Sequence, residues 1–396
     1  MTHPPLVLRK NEERRVRLGH AWVYANEVNT GVTPLKGLAP GDLVSLCDYR
    51  ERPLGLAFAD PHALICARLV SRDADIVIDE AFFRHRLATA LALRQRLFDR
   101  PFYRLAYGDS DGMPGVIVDR YDRHLVVQLT IPGTQARADM IVAALVALLE
   151  PDGVLVQMPG SAPDDDEAGA ATVLHGIVPD QLDVEEHGVR FACAAHAGQK
   201  TGWFYDHRPG RRRLAELAPG QRVLDVFSYV GAWGVQAAVA GATDVTCVDA
   251  SAAALALAAA NAERNAVAGR LRTVQGDAFD VLRDLAQAGE RFDVVVLDPP
   301  AFIKRRKDQE GGEAAYRRLN GQAMALLSPD GLLFTASCSL HLAPDRLLEI
   351  AGGAAHKAGR TLQLLEQLGQ GPDHPVHPVI AETRYLKTLL ARAYLT

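Results

Sequence analysis

From about residue 195 onward the chain alternates between short β-branched apolar runs and longer helix-patterned segments. This limits the second half to a mostly parallel sheet with helices packed on its faces. The runs predict strands over 222–227, 244–249, 271–275, 292–297 and 331–336, with two more over 361–368 and 385–395 after the last crossover helix. The expected architecture is therefore a seven-stranded, doubly wound α/β sheet. Ligands of such sheets gather at the carboxyl ends of the strands, so the residues leaving each strand are the first place to look for chemistry.

The preceding residues have a different rhythm. Up to about residue 70, short alternating segments are broken at Lys36-Gly37, Pro40-Gly41-Asp42 and Arg52-Pro53, the pattern of a small barrel of short strands. Residues 80–98 carry apolar side chains at helical spacing with arginines between them. A hairpin (115–119 and 125–130), a helix (136–149), a strand (154–157), an acidic loop (163–167) and a second hairpin around 184–192, turning at His187-Gly188, follow. A chain of 396 residues exceeds what one hydrophobic core organises. The expected division is a small β-rich domain over 1–72, a central α+β domain over 73–194 and the α/β domain over 195–396.

Several classes are excluded by what is missing. No apolar run approaches the roughly 20 residues a membrane helix needs, and the amino-terminal residues lack a signal peptide's apolar core. A cytoplasmic protein is the expectation. Five cysteines (Cys47, Cys66, Cys193, Cys247 and Cys338) lie far apart, with neither a Cys-x-x-Cys pair nor a Cys/His cluster, so no disulfide framework and no metal site is expected. The formal net charge of −5 is not that of an obvious nucleic-acid binder. Cations nevertheless cluster at Arg9, Lys10, Arg14, Arg15 and Arg17, at Arg208 and Arg211 to Arg213, and at Lys304 to Lys307. These are either three solvated faces or stretches that converge on one surface.

Acids close successive strands: Asp225 before a Phe227-Ser228-Tyr229-Val230-Gly231 turn, Asp249 at the second, Asp277 after the third and Asp298 after the fourth. The glycine spacing of a pyrophosphate cradle is absent, because Ser228-Tyr229-Val230 interrupts it. Carboxylates at three strand ends suit a cationic nucleoside, S-adenosylmethionine (SAM), better than a dinucleotide, although each acid alone is an ordinary loop residue. Asp298-Pro299-Pro300-Ala301-Phe302 adds rigidity after an acid and an aromatic ring able to stack on a base, with Lys304 and Arg305 beyond it. The fifth strand delivers Cys338 to the edge that carries Asp298. A lone cysteine is usually inert core. However, C5 of a pyrimidine becomes nucleophilic only after a thiolate adds to C6, so a carbon-5 methyltransferase needs one cysteine beside its methyl donor. Cys247, inside a strand, reads as core.

With these residues in view the chain resembles the RlmI-type class I SAM-dependent methyltransferases that form 5-methylcytosine in large-subunit ribosomal RNA. The resemblance runs through Gly108-Asp109-Ser110-Asp111-Gly112-Met113-Pro114-Gly115 with Val118 to Tyr121, and Gly198 to Gly202 with Tyr205-Asp206-His207-Arg208. It continues through Asp225 to Gly231, Asp298-Pro299-Pro300 with Phe302, Ser337-Cys338-Ser339, and Asp373-His374-Pro375 with Tyr385-Leu386-Lys387. It implies a PUA-like RNA-binding domain, a central α/β domain and a Rossmann-like catalytic domain. It further implies a SAM site built from Gln199, Lys200, Thr201, Gly202, the Asp225 turn (Phe227, Ser228, Gly231), Asp249, Asp277 and Asp298, with Cys338 as nucleophile. Many relatives carry a second cysteine two positions earlier, where this chain has Ala336.

The expected chemistry has Cys338 adding to C6 of a cytosine while Asp298, protonated or hydrogen-bonded at N3, stabilises the ring. Pro299, Pro300, Phe302, Lys304 and Arg305 would face the substrate, and Glu382 and His374 are candidates for the base that removes the C5 proton. Two other readings stay open: an RNA exocyclic-amine methyltransferase without a covalent step, and a non-catalytic RNA-binding or ribosome-assembly protein. The target nucleotide and the oligomeric state, including a homodimer, are not legible.

Overall fold

The computed structural model of the chain describes residues 3–158, 171–196 and 201–395. The expected acidic loop at 163–167 lies outside them. The chain divides into two compact units, one made of 1–182, 194–203 and 372–383 and the other of 183–193, 204–371 and 384–396.

The first unit holds two five-stranded sheets. Strands Pro5–Val7, Trp22–Tyr24, Leu43–Cys47, Pro53–Ala59 and Ile65–Ser71 form one of them, in the spatial order first, third, fourth, fifth, second. Their inward residues (Leu6, Val23, Val44, Leu46, Ala57 and Cys66) form one apolar core, and a bridge between Leu8 and Val28 ties its two edges. The other sheet runs in the order Ala171–Gly176, Gly153–Gln157, His124–Leu129, Val116–Tyr121, Phe102–Tyr107. The expected hairpin is its centre, closed by Asp122 at φ 55°. Its two edge strands escaped the sequence reading. Helices Glu80–Leu97 and Ala138–Leu149 cover it, and Phe82, Leu87 and Ile141 pack with Phe58 and Val70 of the first sheet in a shared core.

In the second unit the seven expected strands are present: β1 Arg222–Val226, β2 Asp244–Asp249, β3 Leu271–Gln275, β4 Phe292–Leu297, β5 Leu327–Ser337, β6 Arg360–Leu368 and β7 Lys387–Leu395. Their order is β3-β2-β1-β4-β5-β7-β6, with β7 antiparallel to both neighbours and β1 to β5 parallel. The central strands are buried on both faces, which is why they read as continuous apolar runs. β1 stops one residue earlier than expected because Phe227 takes a φ of 66°. β5 starts earlier because Leu327 pairs with Phe292 ahead of a register shift. Helices α1 Arg208–Leu217, α2 Ala232–Ala240, α3 Ala252–Arg264, α4 Ala278–Gln287, α5 Gln309–Leu326 and α6 Pro344–Lys357 connect the strands. The second expected hairpin, Gln181–Glu186 with Val189–Ala194, turns at His187 and Gly188, whose φ values of 53° and 79° suit a two-residue turn.

Candidate active site

The site of the second unit is built at the carboxyl edge of the sheet, beginning with the turn after β1. Positive φ angles at Phe227, Tyr229 and Gly231 (66°, 49° and 78°) swing the chain from β1 into α2. Asp225 is fully buried beneath this turn. Its Oδ2 accepts the Gly234 N–H at 2.9 Å, while Oδ1 has no hydrogen-bond partner among the described residues. Burial, reinforced by the charges of Asp298 and Asp249 against the Gly234 hydrogen bond, pushes its carboxyl up to about 7. A buried carboxylate with one unused oxygen gains from a cationic ligand. Ser228, also buried, lines the same turn.

Asp249, at the tip of β2, accepts the Tyr229 N–H and the Ser251 N–H, each at 2.9 Å, and so holds the β1 and β2 turns together. Asp277 is exposed and caps α4, its Oδ1 accepting from Phe279 and Asp280. These acids sit at the ends of the adjacent strands β1, β2 and β3, an arrangement that suits a cationic nucleoside.

Asp298 follows β4. Its Oδ1 lies 3.1 Å from His207 Nε2, and its Oδ2 accepts the Trp233 indole N–H at 3.1 Å. Burial works against a charged His207, but the charge and hydrogen bond of Asp298 outweigh it and hold the imidazole above its ordinary value. The next residue back, Asp206, accepts the Tyr385 hydroxyl at 2.5 Å.

Cys338 leaves β5 on the strand beside β4, where Leu297 pairs with Thr335. It is partly exposed, whereas Cys47, Cys66, Cys193 and Cys247 are buried. Its neighbours Ser337 and Ser339 share the Tyr316 hydroxyl at 2.8 and 3.1 Å, and the Ile303 N–H donates to Ser339 Oγ at 3.2 Å. Lys387 pairs with Ser337 across β5 and β7, and its Nζ donates to the carbonyls of Ser339 (2.5 Å) and Tyr385 (3.0 Å). Burial lowers the Lys387 amine to about 8, an effect opposed by the nearby Cys338.

Phe302 packs against Tyr316, Phe279 and Phe227 with ring centroids 4.9, 6.3 and 6.4 Å away, so much of its ring serves this aromatic wall. Pro299 is buried, while Pro300, Lys304 and Arg305 are exposed.

Several expected residues belong to the first unit or fall outside the described residues. Thr201 and Gly202 belong to the first unit, where the Thr201 hydroxyl donates to Asp119 and its carbonyl accepts from Tyr121. Gln199 and Lys200 lie outside the described residues. His374 and Glu382 are also in the first unit, with His374 buried 3.0 Å from Asp373 and its ring tilted by 52° against Tyr107. Arg208 and Arg211 are not part of a cationic surface. They are buried in ion pairs with Glu186 at 3.2 and 2.6 Å, and despite the burial these arginines hold its carboxyl down to about 2. Conversely, sequence reasoning assigned no role to His207, Trp233 or Lys387. His207 and Lys387 stood inside motif stretches, but their partners are far away in sequence.

A family model for S-adenosylmethionine-dependent methyltransferases matches residues 163–392, and one for PUA-like domains matches residues 6–72. The chain belongs to the SAM-dependent methyltransferases. This methyltransferase is 34% identical to the ribosomal RNA large subunit methyltransferase I of Klebsiella pneumoniae strain 342 and 35% identical to that of Salmonella gallinarum, over 98% of both chains in each case. Two solved structures share its fold over 98% of this chain and all of theirs. One, assigned as a methyltransferase and crystallised with SAH, has a TM-score of 0.85 at 22% identity, and one from Streptococcus mutans has 0.82 at 21%. In this methyltransferase, SAM is the cofactor that the acids along β1 to β3 are suited to hold.

Proposed function

We propose that this methyltransferase acts on RNA, specifically large-subunit ribosomal RNA, and forms 5-methylcytosine through a covalent adduct with Cys338. The observation that carries this reading is the partly exposed Cys338 on the strand next to Asp298, with the Lys387 ammonium beside it. The PUA-like match and the names of the two relatives support an RNA substrate. SAM, when bound by the Asp225 turn, Asp249 and Asp277, supplies a methyl group on a sulfonium centre.

In this mechanism Lys387 favours the thiolate of Cys338, which forms a bond to C6 of the cytosine. The electrons of the C5–C6 double bond move toward N3, which takes a proton from the His207–Asp298 pair. With SAM held there, the activated C5 would take the methyl group that the cofactor supplies, and N3 would return its proton to the His207–Asp298 pair. Removal of the C5 proton by a base and cleavage of the bond between sulfur and C6 release 5-methylcytosine and the thiolate. Phe302 and Pro300 border the base, and Lys304 and Arg305 meet the phosphate backbone.

The test is RNA carrying 5-fluorocytosine, which has no C5 proton to lose. The parent protein forms an adduct stable to denaturation and Cys338→Ala forms none. Mass analysis of nucleosides from ribosomal RNA of cells with and without the protein then identifies the product. Methylation of an exocyclic amine, with Cys338→Ala fully active, would overturn the covalent scheme.

A further inference from the structure

The hairpin that turns at His187 and Gly188 plays no part in the chemistry above, and among the described residues it forms a two-stranded sheet of its own. Such a hairpin is marginal by itself, and the outer edge of a strand carries N–H and C=O groups that need partners. Two asparagines of α3 supply them. Asn265 Oδ1 accepts the Arg190 N–H at 3.0 Å, and its Nδ2 donates to the Arg190 carbonyl at 2.6 Å. Asn261 does the same for Ala192, at 2.7 and 3.1 Å. The spacings agree, since four helical residues rise about 6 Å and two strand residues about 6.7 Å. The two side-chain amides thus stand in for a neighbouring strand.

Asn265 otherwise donates to the Asn261 carbonyl one turn earlier. Asn261 reaches further. It is fully buried, and its Nδ2 also donates to the Val230 carbonyl at 3.0 Å, so both amide hydrogens are used. Val230 belongs to the turn after β1, between Tyr229 and Gly231, both at positive φ. A left-handed conformation at Phe227 and Tyr229 persists only where the surroundings over-determine it.

That turn is gripped from two sides. On the β2 side Asp249 accepts the Tyr229 N–H, and the Val248 carbonyl accepts the Ser228 N–H at 3.0 Å. On the α3 side stand Asn261 and Ala258, the latter so close that a Cβ at Gly231 would be 3.0 Å from the Ala258 Cβ. Loss of the Asn261 amide would take a donor from the buried Val230 carbonyl and loosen the turn on this side.

We propose that Asn261 is a positioning residue of the cofactor site: it fixes the Val230 carbonyl, and with it the β1 turn, in the form that receives SAM, and thereby couples that turn to the hairpin. The inference rests on SAM binding at the β1 turn and is independent of which RNA atom is methylated. Coupling of this kind is reciprocal, so hairpin docking that favours SAM binding is itself favoured by SAM.

Calorimetry with SAM, well below the melting temperature of each protein, reads the affinity. Asn261→Ala should bind SAM about tenfold more weakly than the wild type. Asn265→Ala loses the same two bonds to the hairpin without touching the turn, and should melt lower while binding SAM as the wild type does. If Asn261 serves stability alone, its variant also melts lower but keeps full affinity. That result, or an equal loss of affinity in Asn265→Ala, overturns the proposal. Hydrogen exchange of the wild-type chain needs no substitution and decides the matter should Asn261→Ala fail to fold. Saturating SAM should slow exchange of the hairpin amides over 183–193, and unchanged exchange contradicts the coupling. Asp225→Asn separates the two levels of the argument. If it binds SAM as tightly as the wild type, the cofactor turn is misplaced and the proposal falls with it; if it binds weakly while Asn261→Ala does not, only the role of Asn261 fails.

Discussion

His207 and Asp298, 91 residues apart in sequence, meet through an Nε2 to Oδ1 contact of 3.1 Å at the mouth of the α/β sheet. Asp298 holds the imidazole above its free value of 6.5. A raised folded pKa gives stabilisation that is complete below the unfolded value and fades as pH rises through the folded one. His207→Gln should therefore cost roughly 1.5 to 3 kcal/mol near pH 6, the range for a charge-assisted hydrogen bond, and less near pH 9. Urea unfolding of both proteins across that range checks this, and a cost that grows with pH would contradict it.

The register of Lys387 against Ser337 places a buried ammonium beside the next residue, Cys338. An opposite charge at that range favours a thiolate by about one pH unit or more. Lys387→Met should move the midpoint of the pH profile for iodoacetamide alkylation of Cys338 upward by that amount, while Lys387→Arg retains most of the effect. The other four cysteines are buried, so the reaction reports on one thiol. An unchanged profile in Lys387→Met would remove the lysine from the proposed mechanism.

The proposed SAM site would link cofactor affinity to pH through Asp225. Its carboxyl titrates near 7 because it is buried, so without ligand the folded chain keeps a proton that the unfolded chain loses from about 3.8 upward, and stability falls across that window. A cationic ligand selects the ionised form. SAM should bind at least about tenfold more weakly at pH 5.5 than at pH 7.5. Asp225→Asn should bind it weakly at both, and calorimetry at the two pH values decides.

The strands β1, β2, β4 and β5 were legible because each is a parallel strand whose buried stretch reads as a short apolar run set off by helix-patterned sequence, and the acids stood out because they follow such runs. The edge strands Phe102–Tyr107 and Ala171–Gly176 were not, since the first mixes apolar with polar residues and the second is largely exposed. Cationic clustering misled at Arg208 and Arg211. Their partner Glu186 lies on the hairpin before them, and nothing local marks it as buried. His207, Trp233 and Lys387 were invisible for the same reason, because a hydrogen bond between distant residues leaves no period or spacing in the chain.

Gly234 offers a test of how tightly the Asp225 pocket is packed. It sits inside α2, where alanine in place of glycine would ordinarily gain about 1 kcal/mol of helix stability. A Cβ there would stand 2.6 Å from Cys247 Sγ, 3.1 Å from Val245 Cγ1 and 3.2 Å from Asp225 Oδ2. All three neighbours belong to fully buried side chains on β1 and β2, so none can withdraw cheaply. Overpacking of this kind costs roughly 1 to 3 kcal/mol, enough to reverse the helix gain. Gly234→Ala should thus melt below the wild type and lose SAM affinity as the carboxylate is displaced, whereas Gly269→Ala, with open space around it, should change neither. Thermal melts and calorimetry on the three proteins are the measurement. A Gly234→Ala chain that melts higher and binds SAM as before would mean the floor beneath the cofactor turn yields more readily than these distances allow.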